Sequence, residues 1–337
     1  MRLINFSYLA HSNAFPPVIG LVIGPWDKWE YVIDLNAAGS LEGHKIPNDT
    51  SKFIDVYSRD EILREFVEYV YNRPDSIKER RKVVYHLEDI KLHPPIRPTL
   101  LRDFIGFRKH IEATRRARGL EVPKEWDSLP AYYIGNHLNI IGPDDLVPHA
   151  NFLLHDKNTS PNRTSNLDYE AEIGYVLGAY PELVEGTDSQ MSPYLFGYTI
   201  FNDFSMRDLQ MISMGVGLGP SFGKDWANSL GSCIVTPDEI GDIFSKRIII
   251  RINEEERLNT VIHDAVSTTG GKWYWSFAEM CSFVSFNQRV YCGEVWGSGT
   301  IPRGCELEKG NMASYLKSGD IVEIQVEGIG TLRNTIA

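Results

Sequence analysis

Among the 337 residues of this chain, the stretch Leu167-Asp168-Tyr169-Glu170-Ala171-Glu172-Ile173-Gly174-Tyr175-Val176-Leu177-Gly178 restricts the fold most. From Ile173 to Leu177 it is apolar, β-branched or aromatic, the composition of a buried strand. Glu170 and Glu172 stand at the entrance to that strand, and the period of two along a strand sends both carboxylates to one face of a sheet. Two like charges there repel each other and lose hydration unless something neutralises them. A hard divalent cation such as Mg²⁺ or Ca²⁺, which takes oxygen ligands, does so. The alternative is a strand edge whose glutamates face solvent, and the E-x-E spacing by itself does not choose between the two.

The length accommodates a large core, as two domains or as one large domain with an appendage. A hydrophobic fraction of 42%, a charged fraction of 23%, 28 Gly and 18 Pro are ordinary for a globular chain. The net charge of −11 argues against a nucleic-acid surface, which needs a basic excess, and a cluster of acidic metal ligands adds to it. No apolar run approaches the length of a membrane span, and the start from Met1 to Phe6 is too polar for a signal peptide. Cys233, Cys281, Cys292 and Cys305 show no C-x-x-C spacing. That pattern indicates neither zinc nor a redox pair and leaves reduced, mostly buried thiols. The expectation is a cytoplasmic protein with no membrane or nucleic-acid partner.

Residues 1–95 read as a small β-rich accessory domain. Residues 18–24 and 29–35 are strands about the turn Pro25-Trp26-Asp27-Lys28. Residues 59–73 and roughly 74–82 have helical composition, the first with Ile62, Phe66, Val67 and Val70 as its apolar stripe; residues 83–86 suit a short strand. The connector His93-Pro94-Pro95-Ile96-Arg97-Pro98 cannot propagate a helix and marks the boundary of a second domain, 96–337.

In that second part, residues 102–119 read as a helix with Asp103 in its first turn and Gly119 as its stop. Taken singly, Asp103 is a cap or dipole residue, His110 an ordinary histidine, and Arg115, Arg116 and Arg118 a solvated basic face. Residues 123–142 read as an aromatic loop that lines a pocket or covers a core edge. Tyr198 to Phe201 form a strand, and Asp203 at its end suits a helix cap. The run from Gly215 to Lys224 is not a phosphate loop, because Asp225 follows Lys224 and Pro220 interrupts a dinucleotide fingerprint; it reads as a flexible loop presenting one lysine. Residues 247–253 read as a strand, 274–287 as a helix and 320–332 as a closing hairpin. Trp296 to Ile301 is a glycine-rich bend, and no nucleophile elbow, since Trp296 and Thr300 stand at the positions of that motif's glycines.

Read jointly, these pieces carry D-F-x-x-F-x-x-H (Asp103 to His110), E-x-E (Glu170, Glu172), N-D-x-S-x-R-D-x-Q (Asn202 to Gln210), G-K (Gly223, Lys224), S-G-T (Ser298 to Thr300) and E-G-I-G-T-L (Glu327 to Leu332). Each is weak singly, but in this order they resemble the fumarylacetoacetate hydrolase superfamily, from about Leu101 to the C-terminus. The resemblance implies an α+β, mainly β fold, with a mixed β-roll catalytic domain, a small N-terminal β-rich domain and commonly a homodimer. Sequence pattern alone supports a β-rich α+β chain. Asp103, Glu170, Glu172 and Asp203 would hold a divalent cation, Mg²⁺ or Ca²⁺ with Mn²⁺ as a further option, and no organic cofactor. His110 would be the general base, oriented by Glu308, with Glu306 as a register alternative. Arg207, Gln210 and Lys224 would surround the reacting oxygen, while Tyr133 and Thr300 would contact substrate. Arg118 is a looser match for a substrate carboxylate, its spacing from His110 being about one residue off the family pattern. Met214 stands where the animal enzyme has a substrate-contacting tyrosine.

The implied partner is a small-molecule diketo acid, and the implied reaction is metal-dependent hydrolysis of a carbon–carbon bond in fumarylacetoacetate or a related acylpyruvate. The chemistry is coherent: a 1,3-diketone chelates a hard cation, His110 deprotonates water, and Lys224 and Gln210 stabilise the oxyanion. The leaving carbanion is a metal-stabilised enolate. Two other readings stay open. The same cage serves decarboxylation, tautomerisation or dehydration of a 2-keto acid, and a non-catalytic metal- or ligand-binding protein can share the scaffold.

Overall fold

The apolar run after Glu172 forms a strand that extends back to include it: Ala171–Leu177, with every residue buried. Burial on both faces explains why the run is continuously apolar instead of alternating. It pairs antiparallel with Leu195–Asp203 on one side and with Val295–Gly297 on the other. The computed structural model describes residues 1–9, 16–78, 83–153, 162–178, 194–268, 273–310 and 314–337.

Among the described residues the largest sheet has 12 strands. From Leu195–Asp203 it runs through Asn228–Val235, Arg2–Tyr8, Val18–Ile23 and Tyr31–Asp34 to Val84–Tyr85. In the other direction it passes from Val295–Gly297 to Leu101–Phe104 and ends at Tyr132–Gly135. Arg2 lies opposite Val235, so the N-terminal strands extend the sheet that carries the site. A second sheet of 5 strands is built from Glu255–Val261, Arg247–Ile252, Ile321–Val326, Gly330–Ile336 and Leu146–Val147. Here the apolar residues do alternate: Ile248, Ile250 and Ile252, with Val322, Ile324 and Val326, are buried on one face. They join Ile200, Cys233 and Val235 of the larger sheet in one core, each side chain contributing roughly 1.5–3 kcal/mol of burial. The fold is a mainly β α+β arrangement of mixed sheets.

Helices Thr50–Arg59 and Glu61–Asn72 cover the N-terminal strands, capped by the Asp49 and Asp60 carboxylates. The buried stripe of the second is Leu63, Phe66, Val67 and Val70, an i, i+3, i+4, i+7 set; Ile62, expected on it, falls at the margin of that stripe and is 69% exposed. Of the helix expected over 74–82, Asp75–Lys78 is helical and residues 79–82 lie outside the described residues.

Three expectations near the site are corrected. Residues 102–119 are not one helix. Leu101–Phe104 is a strand, parallel to Val295–Gly297 and antiparallel to Tyr132–Gly135, and the helix is Arg108–Arg116. Gly106 sits at the junction, where a Cβ would lie 2.1 Å from the Ser298 carbonyl oxygen, so the chain is pinned before the helix begins. Residues 123–142 likewise contain the strands Tyr132–Gly135 and Ile140–Ile141, since the first pairs with Leu101–Phe104 and the second with the start of Asn228–Val235. Lys224, expected on a flexible loop, follows the short 3-10 turn Ser221–Gly223 and is 3% exposed. The four cysteines are buried and form no disulfide. No described helix is long and apolar enough to cross a membrane.

Candidate metal and catalytic site

Neighbouring strand ends bring the acidic residues together. Asp103 lies on Leu101–Phe104, Glu170 immediately precedes Ala171–Leu177 and Glu172 lies at its start, and Asp203 ends Leu195–Asp203. All four are buried, and each offers a carboxylate oxygen within 4.8 Å of the others. Val295–Gly297 runs between the strands of Asp103 and Glu172, and its last residue makes the convergence possible. A Cβ on Gly297 would lie 2.5 Å from Asp103 Oδ1 and 2.6 Å from Glu172 Oε2.

The protein's own cations serve only part of this cluster. Arg207 Nη1 lies 2.5 Å from Glu170 Oε1, and Lys224 Nζ lies 2.5 Å from Glu170 Oε2 and also contacts Asp203 Oδ2. Burial pushes the Glu170 carboxyl up, but Arg207 and Lys224 together outweigh it and hold the group below the usual carboxylate range. Asp103 is pushed well up, first by burial and then by the charge of Asp203; Glu172 is pushed well up by burial and then by Asp103. Burial also raises Asp203, against the pull of Lys224. Asp103 Oδ1 and Asp203 Oδ1 are buried and accept no hydrogen bond. An all-oxygen donor set, crowded, buried and with unsatisfied lone pairs, fits a hard divalent cation.

His110, in the helix Arg108–Arg116, shares a 2.6 Å hydrogen bond between Nδ1 and Glu308 Oε1. The other Glu308 oxygen accepts from the backbone N–H of Arg303 at 2.7 Å. Glu306 turns elsewhere, accepting from the Tyr169 hydroxyl at 2.9 Å and from Lys309 Nζ at 2.8 Å, so of the two glutamates Glu308 is the partner of His110. Sequence reasoning missed Asp168. Its Oδ2 accepts from Arg207 Nε at 2.9 Å and Nη2 at 2.7 Å, and its two oxygens accept from the backbone N–H groups of Glu306 and Leu307 at 2.9 and 3.0 Å. One carboxylate thus positions both Arg207 and the turn that carries Glu308. The signal was present, since Asp168 continues the period-two spacing of Glu170 and Glu172.

The Tyr133 hydroxyl donates to Asp203 Oδ2 at 2.9 Å. Glu172 accepts from the Gly299 backbone N–H at 2.9 Å and, more weakly, from Thr300 Oγ1 at 3.4 Å. Gln210 Oε1 accepts from Arg207 Nη1 at 3.0 Å. Arg118 Nε donates to the Thr114 carbonyl at 3.1 Å, and Nη1 approaches Met211 Sδ at 3.8 Å. Asp103, His110, Arg118, Tyr133, Glu170, Glu172, Arg207, Gln210, Lys224 and Thr300 all line one cleft of about 690 Å³, whose outer wall is apolar: Ile105, Ile134, Met211, Met214 and Leu218. Asp203 and Glu308 stand directly behind it, against Lys224 and His110.

Residues 99–337 match the family profile described as "Fumarylacetoacetate (FAA) hydrolase C-terminal". Over 255 residues the chain is 27% identical to the oxaloacetate tautomerase YisK of Bacillus subtilis (strain 168), covering 75% of each chain. It is 25% identical over 308 residues to the fumarylacetoacetate hydrolase domain-containing protein 2 homolog of Dictyostelium discoideum, covering 90% of this chain and 89% of that one. A solved maleylpyruvate hydrolase from Sphingobium sp. SYK-6, in complex with manganese(II) ion and pyruvate, shares the fold with a TM-score of 0.66 at 16% identity, over 100% of this chain and 99% of that one.

Proposed function

The chain belongs to the fumarylacetoacetate hydrolase family, and from that premise we propose that it is a divalent-cation-dependent enzyme hydrolysing a carbon–carbon bond in a 1,3-diketo acid of the acylpyruvate type. The observation that carries this reading is the opening of the four-carboxylate cluster and the His110–Glu308 pair into one cleft. Asp103, Glu170, Glu172 and Asp203 would hold the cation, which when bound supplies Lewis-acid polarisation of a chelating pair of substrate oxygens. Mg²⁺, Ca²⁺ and Mn²⁺ all suit oxygen donors, and the manganese of the maleylpyruvate hydrolase complex supports this class of ion.

Glu308 takes the Nδ1–H of His110, which leaves Nε2 as the basic nitrogen. Nε2 accepts a proton from water as the water oxygen adds to the substrate carbonyl. The carbon–carbon bond then breaks, its electron pair leaves with the departing enolate, and the imidazolium returns the proton to that fragment. Lys224 has two N–H groups engaged by Glu170 and Asp203 and a third left for the developing oxyanion. Arg207, fixed by Asp168, holds Glu170 ionised and presents Gln210 to the cleft.

A second reading is tautomerisation of a 2-oxo acid, favoured by the oxaloacetate tautomerase among the relatives. It needs His110 only to take a proton from carbon and return it, with no bond cleaved. Acylpyruvates, fumarylacetoacetate and oxaloacetate, each incubated with Mg²⁺, separate the two by product. Release of two carboxylic acids from a diketo acid supports hydrolysis. Accelerated keto–enol exchange of oxaloacetate with every diketo acid left intact replaces it with tautomerisation.

A further inference from the structure

Beside the oxygen cluster lies a second group of metal-ligating side chains with different chemistry. We propose that His110, Cys305 and Glu308 form a site for a borderline or soft divalent ion, Zn²⁺ above all, and that its occupation removes His110 from the reaction. A ring nitrogen of His110, Cys305 Sγ and a Glu308 oxygen lie within 4.8 Å of one another. Glu308 Oε1 is already 2.6 Å from His110 Nδ1 and 3.8 Å from Cys305 Sγ. Around a tetrahedral zinc ion the nitrogen–oxygen and sulfur–oxygen separations are roughly 3.3 and 3.6 Å. The sulfur therefore stands almost where a ligand belongs, and the histidine–glutamate hydrogen bond opens by roughly 0.7 Å to admit the ion. Three protein ligands leave a fourth position for water.

Donor type separates the two sites. Asp103, Glu170, Glu172 and Asp203 offer only oxygen, the preference of Mg²⁺ and Ca²⁺, whereas thiolate and imidazole select zinc-like ions. The surroundings of Cys305 suit a cation too. Burial, then Asp168, keeps its thiol protonated against the pull of Arg207, with Glu308 and Glu170 adding to the negative field; an arriving ion meets that field and displaces the thiol proton. With Nδ1 ligated, His110 loses the Glu308 hydrogen bond that sets its tautomer. The inhibitory consequence rests on His110 being the base of the proposed reaction, and the binding itself does not.

The test holds the protein in excess Mg²⁺ and titrates Co²⁺ as a spectroscopic stand-in for Zn²⁺. The expected result is a near-ultraviolet thiolate-to-cobalt band in the wild type, absent in Cys305→Ser and abolished by Zn²⁺. The other cysteines, Cys233, Cys281 and Cys292, are buried and belong to no such group among the described residues, so the band reports Cys305. In turnover, the Zn²⁺ concentration for half-inhibition rises in Cys305→Ser by at least the roughly 10- to 100-fold lost with even an outer-shell partner, each protein being compared with its own uninhibited rate. A wild type without the thiolate band, or equal zinc inhibition of both proteins, overturns the proposal. If Cys305→Ser does not fold, the wild-type cobalt spectrum decides, and it does so even if no diketo acid is turned over.

Discussion

Glu170 and Glu172 are two residues apart, equally buried in effect, and electrostatically opposite. Glu170 touches Arg207 and Lys224 and is held ionised. Glu172 touches the Gly299 N–H and Thr300 hydroxyl, meets no lysine or arginine among the described ion pairs, and is pushed up with Asp103. The difference assigns them different duties. Glu170 joins the cluster to the residues that face the reacting oxygen, whereas on the Asp103–Glu172 side the crowded carboxylates are relieved by taking up protons or by an added cation.

The largest way to break this contrast is to remove the internal cation. Lys224→Met leaves Glu170 and Asp203 buried with less compensation. It should destabilise the metal-free protein by about 3–5 kcal/mol in urea unfolding, and a change near zero would show that Lys224 does not balance these charges. Next comes Glu172→Gln, which should weaken Mn²⁺ binding by at least about 10- to 100-fold, read by electron paramagnetic resonance, without destabilising the metal-free protein. A destabilised metal-free variant would mean that Glu172 is balanced after all.

The pH dependence sharpens the same point. Asp103 and Glu172 are raised in the folded protein from ordinary values of 3.8 and 4.5. Between those values and the folded ones, the native state binds more protons than the unfolded state, so metal-free stability falls as pH rises, by up to about 1.4 kcal/mol per pH unit for each proton. Glu170, lowered from 4.5, acts in the opposite sense and only as pH falls below that value. Thermal unfolding in EDTA should show the falling limb above pH 5 or so, and saturating Mg²⁺ should flatten it; identical profiles with and without the ion would contradict the assignment. The smallest effect expected is that of Thr300→Val. Its 3.4 Å hydrogen bond is weak beside the 2.9 Å Gly299 N–H, so cation affinity should move by about 0.5–1.5 kcal/mol, measurable by calorimetry.

How much of this was legible depended on where each residue gets its conformation. The E-x-E strand is written in its own apolar run, and its period of two sends both glutamates to one face; that this face is buried beside Asp103 and Asp203 comes from neighbouring strands that the spacing does not show. Asp103 was placed on a helix because Asp103-Phe104-Ile105-Gly106-Phe107-Arg108-Lys109-His110 has helical composition. Its strand exists because Val295–Gly297 and Tyr132–Gly135 pair with it, and neither partner is visible locally. Local sequence shows Lys224 only as one lysine on a loop for the same reason, since its environment comes from Tyr133, Glu170 and Asp203. Asp168 went unnoticed although it continues the spacing of the glutamates. Cysteine spacing, which pointed away from zinc, says nothing about Cys305 meeting His110 across the fold. The joint order of the motifs carried the rest, and the family profile over 99–337 accords with it.

The most direct test of the account is the initial rate of loss of diketone ultraviolet absorbance, for an acylpyruvate and for fumarylacetoacetate, with Mg²⁺ and with EDTA, on the wild type and His110→Ala. The account predicts cleavage by the wild type with Mg²⁺, none in EDTA, and a fall of about 10²–10⁴-fold in the variant. Cleavage that survives EDTA, or a His110→Ala rate equal to that of the wild type, would contradict it.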